Sequence, residues 1–487
     1  MRHRFLAEGA RRPAVVLALL AACAVVTAAC GQKAGVHVST SAANGGGALA
    51  GGSGGGETAT GGETATGGGT STGGGATSGG ATGGGTAGAT AGAGGGGGAG
   101  GGGTATPGGG PSGAAVSGPG DSTGVSADTI TVGLHAPATG AGAPATSFNE
   151  GKQKYFDFIG KTINGRHVNV EFQDDGYNPS QAVAACKTLV QEKHVFLLVG
   201  GGGTDQIVAC AQYASSVGVP YLAEGVTEQG LSTLKSYFAL SMSYKAQGTL
   251  LAQYMKAKGY TKWAMVRGNT ANFEDAHTGF VNAASSAGLT KFFDDSVPKD
   301  ADNSTMASEA SKFCASPSTK PDHSDVALYP LMAPKLFIAF ATAAAQQQCF
   351  PRYAGVGITL GLNVVATALC PTGALKSGAT FFSPYQGLDV VDQVDPDFHK
   401  AYSNGDDIGY GIWAAEKLLA AMLKTGGRDL TRQSFVQGVL NTRTFVTGDY
   451  PPVDYSTNRF GGTAVHVLKA DCANNRYATE SQNSKGF

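Results

Sequence analysis

About half of this chain's glycine lies in a stretch that has no means of folding. Of 77 glycines in 487 residues, 38 fall within residues 41–120, a tract of Gly, Ala, Thr and Ser without one aromatic residue. Leu49 and Val116 are its only large aliphatic side chains. It cannot bury enough apolar surface to offset its ordering entropy and is expected to be disordered. Its repeats, such as Gly61-Gly62-Glu63-Thr64-Ala65-Thr66, contain nothing that packs, so they read as spacing rather than as a solenoid. A flexible coil of about 85 residues spans roughly 50 Å root-mean-square. What remains to fold is 123–480, too long for one ordinary domain and suited to two lobes.

Ahead of the tract, Arg2, Arg4, Arg11 and Arg12 precede an apolar run from Pro13 to Ala29. A basic start, a short apolar core and small residues before a break describe a secretory signal. At about 17 residues the run sits at the lower limit for a spanning helix. Thr27-Ala28-Ala29-Cys30-Gly31 resembles the lipobox of bacterial lipoproteins, whose cysteine is lipidated and becomes the new N-terminus. Leu20-Ala21-Ala22-Cys23 matches the box slightly better but would leave Ala24-Val25-Val26 on the mature end, whereas Cys30 leaves Gly31-Gln32-Lys33. Cys30 is therefore the preferred attachment. The resemblance implies a signal peptide at 1–29, a lipid-anchored tether at 30–122 and a location on the outer face of the cytoplasmic membrane.

Beyond residue 119 there are 29 Lys and Arg against 32 Asp and Glu. A near-neutral domain without a basic stripe argues against nucleic acid as a partner. Six cysteines remain there, Cys186, Cys210, Cys314, Cys349, Cys370 and Cys472, and an even count outside the cytoplasm points to three disulfides. No CxxC and no close Cys–His spacing occurs, so neither zinc nor another metal or cofactor is expected. Cys186 and Cys210 sit on helical segments flanking one strand and are expected to pair; the other four stay unassigned.

The folded part alternates strands and helices. Thr129–Leu134, Val168–Phe172, Val195–Val199, Val219–Leu222, Trp263–Val266, Val326–Tyr329, Tyr353–Val356 and Thr380–Phe382 read as strands. Phe148–Ile159 reads as one amphipathic helix, and Pro179-Ser180 opens another. Repeated βα units of this length predict an α/β fold of doubly wound parallel sheets, which bind ligands at the carboxyl ends of their strands.

The order of these pieces resembles a known family. Pro137-Ala138-Thr139-Gly140, Asn164-Gly165-Arg166, Asp174-Asp175-Gly176, Pro179–Val183, Val199-Gly200…Thr204, Gly268-Asn269-Thr270-Ala271 and Gly409–Ala415 look like type I periplasmic binding proteins, closest to the Leu/Ile/Val-type receptors of ABC importers. The resemblance covers most of 128–470. It implies two α/β lobes joined by a three-segment hinge that close on a small-molecule ligand, with membrane permease subunits as partners. Crossovers are expected near Ser241–Tyr244, Ser383–Tyr385 and Thr444–Tyr450, giving one lobe of about 128–241 and 385–444 and another of about 245–383 and 450–479.

Gly200–Gly203 lies between a strand and a helix, where backbone N–H groups and a helix N-terminus attract an anion. A nucleotide loop is the rival, but no Gly-Lys-Ser/Thr follows, and Asp205 stands where GxGxxG needs its third glycine. The resemblance assigns Gly203 and Thr204 to a ligand carboxylate, with Thr139 in the preceding loop, Gly225 and Thr227 in the next contact loop and Phe273 packing from the other lobe. Thr204 reads equally as a helix N-cap, and Phe273 as ordinary packing. Val356 departs from the family, whose amino-acid receptors carry an acid near that position; Glu224 or Glu274 would have to replace it. An organic acid or amide is thus expected ahead of leucine, isoleucine or valine. No Gly-x-Ser-x-Gly elbow, HExxH or paired-carboxylate signature points to an enzyme, and Asp174-Asp175 reads as turn chemistry. A receptor that presents its ligand to a membrane signalling partner would share every one of these features.

Overall fold

The computed structural model describes residues 120–140, 147–356 and 361–487. The signal, Cys23, Cys30 and the tether lie outside them. Five strands form the first sheet: β1 (Thr129–Ala136), β2 (His167–Asp174), β3 (Leu197–Gly200), β4 (Tyr221–Ala223) and β5 (Tyr237–Ala239). They run in the order β2-β1-β3-β4-β5, all parallel. The order reverses between β1 and β3, so the loops after these two strands open on one crevice. Those loops hold Thr139 and Gly201–Thr204.

The second sheet repeats the pattern with β6 (Lys262–Asn269), β7 (Thr290–Pro298), β8 (Val326–Leu331), β9 (Arg352–Gly355) and β10 (Ala379–Ser383), ordered β7-β6-β8-β9-β10. After a small two-stranded ribbon, β11 (Thr444–Phe445) and β12 (Val453–Asp454), the chain adds β13 (Val465–Asp471) and β14 (Arg476–Ser484) to the edge next to β10. Both additions are antiparallel, so this sheet is mixed rather than purely parallel. A link of only a few residues between β13 and β14 is too short for the crossover a parallel pair needs. Ordered strand also continues to Ser484, past the expected limit at residue 480.

The third passage between the sheets comes later than Thr444–Tyr450. Phe460 bridges Ala239 at the end of β5, and Tyr455 donates its hydroxyl to the Ala239 carbonyl at 3.2 Å. The chain therefore stays with the first sheet until about Gly462. Two local expectations also shift. The helix expected over Phe148–Ile159 is two, Ser147–Gly151 and Lys154–Ile159. Gln153 stands at the break, where its amide donates to the Val168 carbonyl (2.6 Å) and accepts from the Val170 N–H (2.8 Å). Those are backbone groups on the open edge of β2, which would otherwise lack partners. Likewise Val195 and Phe196 precede β3 instead of joining it. The Arg432 guanidinium binds both carbonyls at 2.8 and 2.9 Å and pairs with the Asp121 carboxylate.

Helices cover the faces of both sheets. The helix Asp407–Thr425 buries Trp413, against which Tyr155 and Phe398 pack edge-on at 4.9 and 5.7 Å. Under the second sheet Phe337 meets Tyr353 and Phe381 at 4.9 and 5.6 Å. Cys186 and Cys210 are bonded, Cα atoms 6.1 Å apart, and tie the Pro179–Lys187 helix to Thr204–Ser216. The four cysteines unassigned from sequence pair as Cys314–Cys349 and Cys370–Cys472. Among the described residues no helix is long and apolar enough to cross a membrane.

Candidate functional site

The crevice is built on the loop after β3. Gly203 has φ +81°, a left-handed conformation that costs an L side chain, and its open hand turns the strand into the helix Thr204–Ser216. Gly203, not Thr204, is the N-cap residue; Thr204 is the first helical residue and is buried. Its hydroxyl shares a hydrogen bond with the phenol of Tyr244, and the Tyr244 ring lies 6.2 Å from that of Phe273. Burial pushes the Tyr244 phenol up, and the Glu224 carboxylate and Tyr177 add to it. Thr204, Phe273, Glu224, Tyr177 and Tyr244 thus share one space.

The other expected contacts are committed elsewhere. Thr139 is exposed, and its hydroxyl and N–H both donate to Asp174, at 2.6 and 3.2 Å. Asp174 also accepts from Ala138 and Gly176 N–H groups, so it locks the turn, as expected for Asp174-Asp175. Gly225 gives its N–H to Ser241 Oγ at 2.8 Å, and a Cβ there would collide with the Ser241 and Met242 carbonyls. The Thr227 hydroxyl, fully buried, accepts from Gln229 N–H at 3.2 Å. Val356 is completely buried in the core.

The sequence reading missed the tyrosines. Each expected crossover ends in one, Tyr244, Tyr385 and Tyr450. All three are buried, all three phenols are raised by burial first, and the Glu224 carboxylate raises each further. Tyr237 adds a fourth ring, donating its hydroxyl to the Glu224 carbonyl at 3.2 Å. A tyrosine at the end of each expected crossover was the available signal, although the chain stays with the first sheet past Tyr450. Glu224 itself, one of the two acids that could replace the one missing at Val356, is half-buried among them.

Three contacts close the crevice from the second sheet. Asp205, in the first turn of its helix, accepts from Thr270 (2.6 Å), Asn272 and Lys299 (2.8 Å). Burial pushes the Asp205 carboxyl up, but these donors outweigh it and hold it below its ordinary value. Lys299 also lies 4.4 Å over the Tyr177 ring. Glu228 N–H donates to Asp275 at 2.6 Å, and Asn363 N–H to Asp407 at 3.1 Å. Burial raises the Asp407 carboxyl to about 6, and neighbouring Asp406 adds to that rise.

One cluster has a catalytic look. His135 Nδ1 lies 2.9 Å from Asp175 and Nε2 2.6 Å from the Tyr221 hydroxyl, all fully or nearly fully buried. The Cys186 and Cys210 sulfurs lie within 4.8 Å of the imidazole, but they are bonded to each other. With both ring nitrogens engaged, the trio acts as a polar core that fixes β1, β4 and the turn after β2.

The chain matches the model of the family described as periplasmic binding protein over residues 129–474. No curated protein sequence matches it. Among solved structures it is similar to a fatty acid ABC transporter substrate-binding protein from Thermomonospora curvata, with 18% identity, TM-score 0.62, and 75% of this chain and 95% of that one covered. A solute-binding protein from R. palustris in complex with benzoate shares 20% identity at TM-score 0.59, covering 73% and 99%. A leucine-binding protein from Thermotoga maritima shares 17% at TM-score 0.60, covering 73% and 99%. At these identities the likeness is one of fold.

Proposed function

The chain belongs to the periplasmic binding protein family, type I and Leu/Ile/Val-like, and from that premise we propose a lipid-anchored receptor for a small organic acid. As a member it is an extracytoplasmic solute-binding protein of the kind that serves ABC importers, and not an enzyme. Its relatives in structure take a fatty acid, benzoate or leucine, so the ligand class rests on this chain's own residues.

The observation that carries the reading is the start of the Thr204–Ser216 helix. There Thr204 and Tyr244 hold hydroxyls beside Phe273, while Asp205 is gripped by Thr270, Asn272 and Lys299 from across the crevice. A helix N-terminus with hydroxyl donors and a nearby ammonium favours a carboxylate. Closure of the two lobes over it is a hinged clamp. Val356 offers no acid for an ammonium, which sets organic acids ahead of branched-chain amino acids. The half-buried Glu224, with Tyr244, Tyr385 and Tyr450 around it, favours a second reading in which it receives an amino group.

Titration calorimetry with carboxylates and amino acids tests both. A hydrogen bond to a charged group is worth about 1.5–3 kcal/mol, so Thr204→Ala should weaken binding by roughly ten- to a hundredfold without unfolding the protein. Tight binding of leucine that ignores this substitution would sink the organic-acid reading. The anchor rests on Thr27–Gly31. Cys30→Ser should move the protein from the membrane fraction to the medium, and release by Cys23→Ser instead would reassign the lipid.

A further inference from the structure

A cavity of about 50 Å³ runs inside the first lobe, between its sheet and the Asp407–Thr425 helix. Gly201, Glu224 and Tyr450 line it, the first two directly after the carboxyl ends of β3 and β4. That part of the lining therefore lies on the crevice side, beside the Thr204 helix start. Val199 on β3, Val170 on β2 and Gly411, Ala415 and Leu419 of the helix complete the wall.

Three residues along it are unusual for their place. Val199 lies in the middle of a five-stranded sheet, yet it, Val170 and Ala415 keep solvent-accessible surface. Apolar side chains on the covered face of a sheet normally interdigitate with the helix above and leave few voids larger than a water molecule. Here the helix presents the small Gly411 and Ala415 over them. Glu416, which lines the inner part, is fully buried; burial holds its carboxyl well above the ordinary range, so it places no charge in the cavity. Apolar voids of this kind stay dry until an apolar group enters. The volume is about a third of the roughly 150 Å³ that admits the six carbons of benzene, so a ring does not fit and about two carbons of a slender chain do.

We propose that this cavity is a chain-accepting subsite, taking about two carbons of the unbranched alkyl chain of a carboxylic acid whose head group sits at the Thr204 helix start. The inference rests on the reading of the crevice as a carboxylate site and narrows it to short straight-chain aliphatic acids over branched or aromatic ones.

The experiment is titration calorimetry of the full chain with acetate, propanoate, butanoate, pentanoate and heptanoate, beside 3-methylbutanoate and benzoate. Affinity should rise about fourfold per methylene over about two methylenes, the factor that about 0.8 kcal/mol per buried CH₂ gives, and then level off. The branched and aromatic acids should fall below pentanoate and heptanoate, the straight chains of equal carbon number. Ala415→Met and Val199→Phe each fill the void and should flatten the series. If acetate binds as well as propanoate and butanoate, the subsite is overturned while the carboxylate reading stands. If no carboxylate binds, both fail. Should either variant not fold, as its melting temperature will show, the wild-type series alone decides.

Discussion

The two sheets share one strand order and finish it differently. The first stops at five parallel strands and leaves a void over Val199 and Val170. The second, with the same order from β7 to β10, adds the β13–β14 hairpin, two disulfides and a core of rings packed edge to face around Phe337. Polar reach divides the opposite way. Thr270, Asn272, Lys299 and Asn363 extend from the second lobe to acids, Asp205 and Asp407, that belong to the first. One topology thus supports a roomier lobe and a more heavily braced one.

The largest test of that contrast is covalent. Cys370 and Cys472 are 102 residues apart, Cys186 and Cys210 only 24. In the chain-entropy model those loops correspond to about 4.7 and about 3.5 kcal/mol. Urea unfolding of the two double Cys→Ser variants should therefore show the greater loss for Cys370/Cys472. Equal losses, or the reverse order, would mean that the second lobe does not depend on its bracing.

A smaller test uses pH, because the lobes bury groups of opposite habit. Native Asp407 keeps its proton up to about 6 while the unfolded chain releases it near 3.8. Stability from this group is therefore lost as pH rises through that window. His466, in the second lobe, has its pKa lowered by burial from 6.5 to about 4, so the unfolded chain takes up a proton that the native state refuses. Its contribution is lost as pH falls through nearly the same window. Melting temperatures between pH 4 and 7 should show Asp407→Asn removing the loss on the neutral side and His466→Gln that on the acid side. If both variants bent the curve in one direction, the contrast in buried charge would be wrong.

What was legible in the sequence was what local pattern dictates. Apolar runs such as Val326–Tyr329, the Gly200–Gly203 break and the Cys186–Cys210 pairing all reflect short-range chemistry, and each lies where the pattern put it. What escaped depends on partners distant in sequence. Gln153 breaks its helix to serve an edge strand, and Arg432 takes the Val195 and Phe196 carbonyls out of β3. The site divides the same way. Thr204 and Phe273 both lie beside Tyr244, whereas Thr139 and Thr227 spend their hydroxyls on turns. Tyr385 and Tyr450 gather near Glu224 only because segments far apart in sequence converge there.

The Arg432–Asp121 pair has a mechanical consequence. Asp121 is fastened beside Val195 and Phe196, at the amino end of β3 and so at the end of the first sheet remote from the crevice. A pull along the chain that precedes Asp121 is met first by that ion pair, at the end of the first sheet that faces away from the crevice.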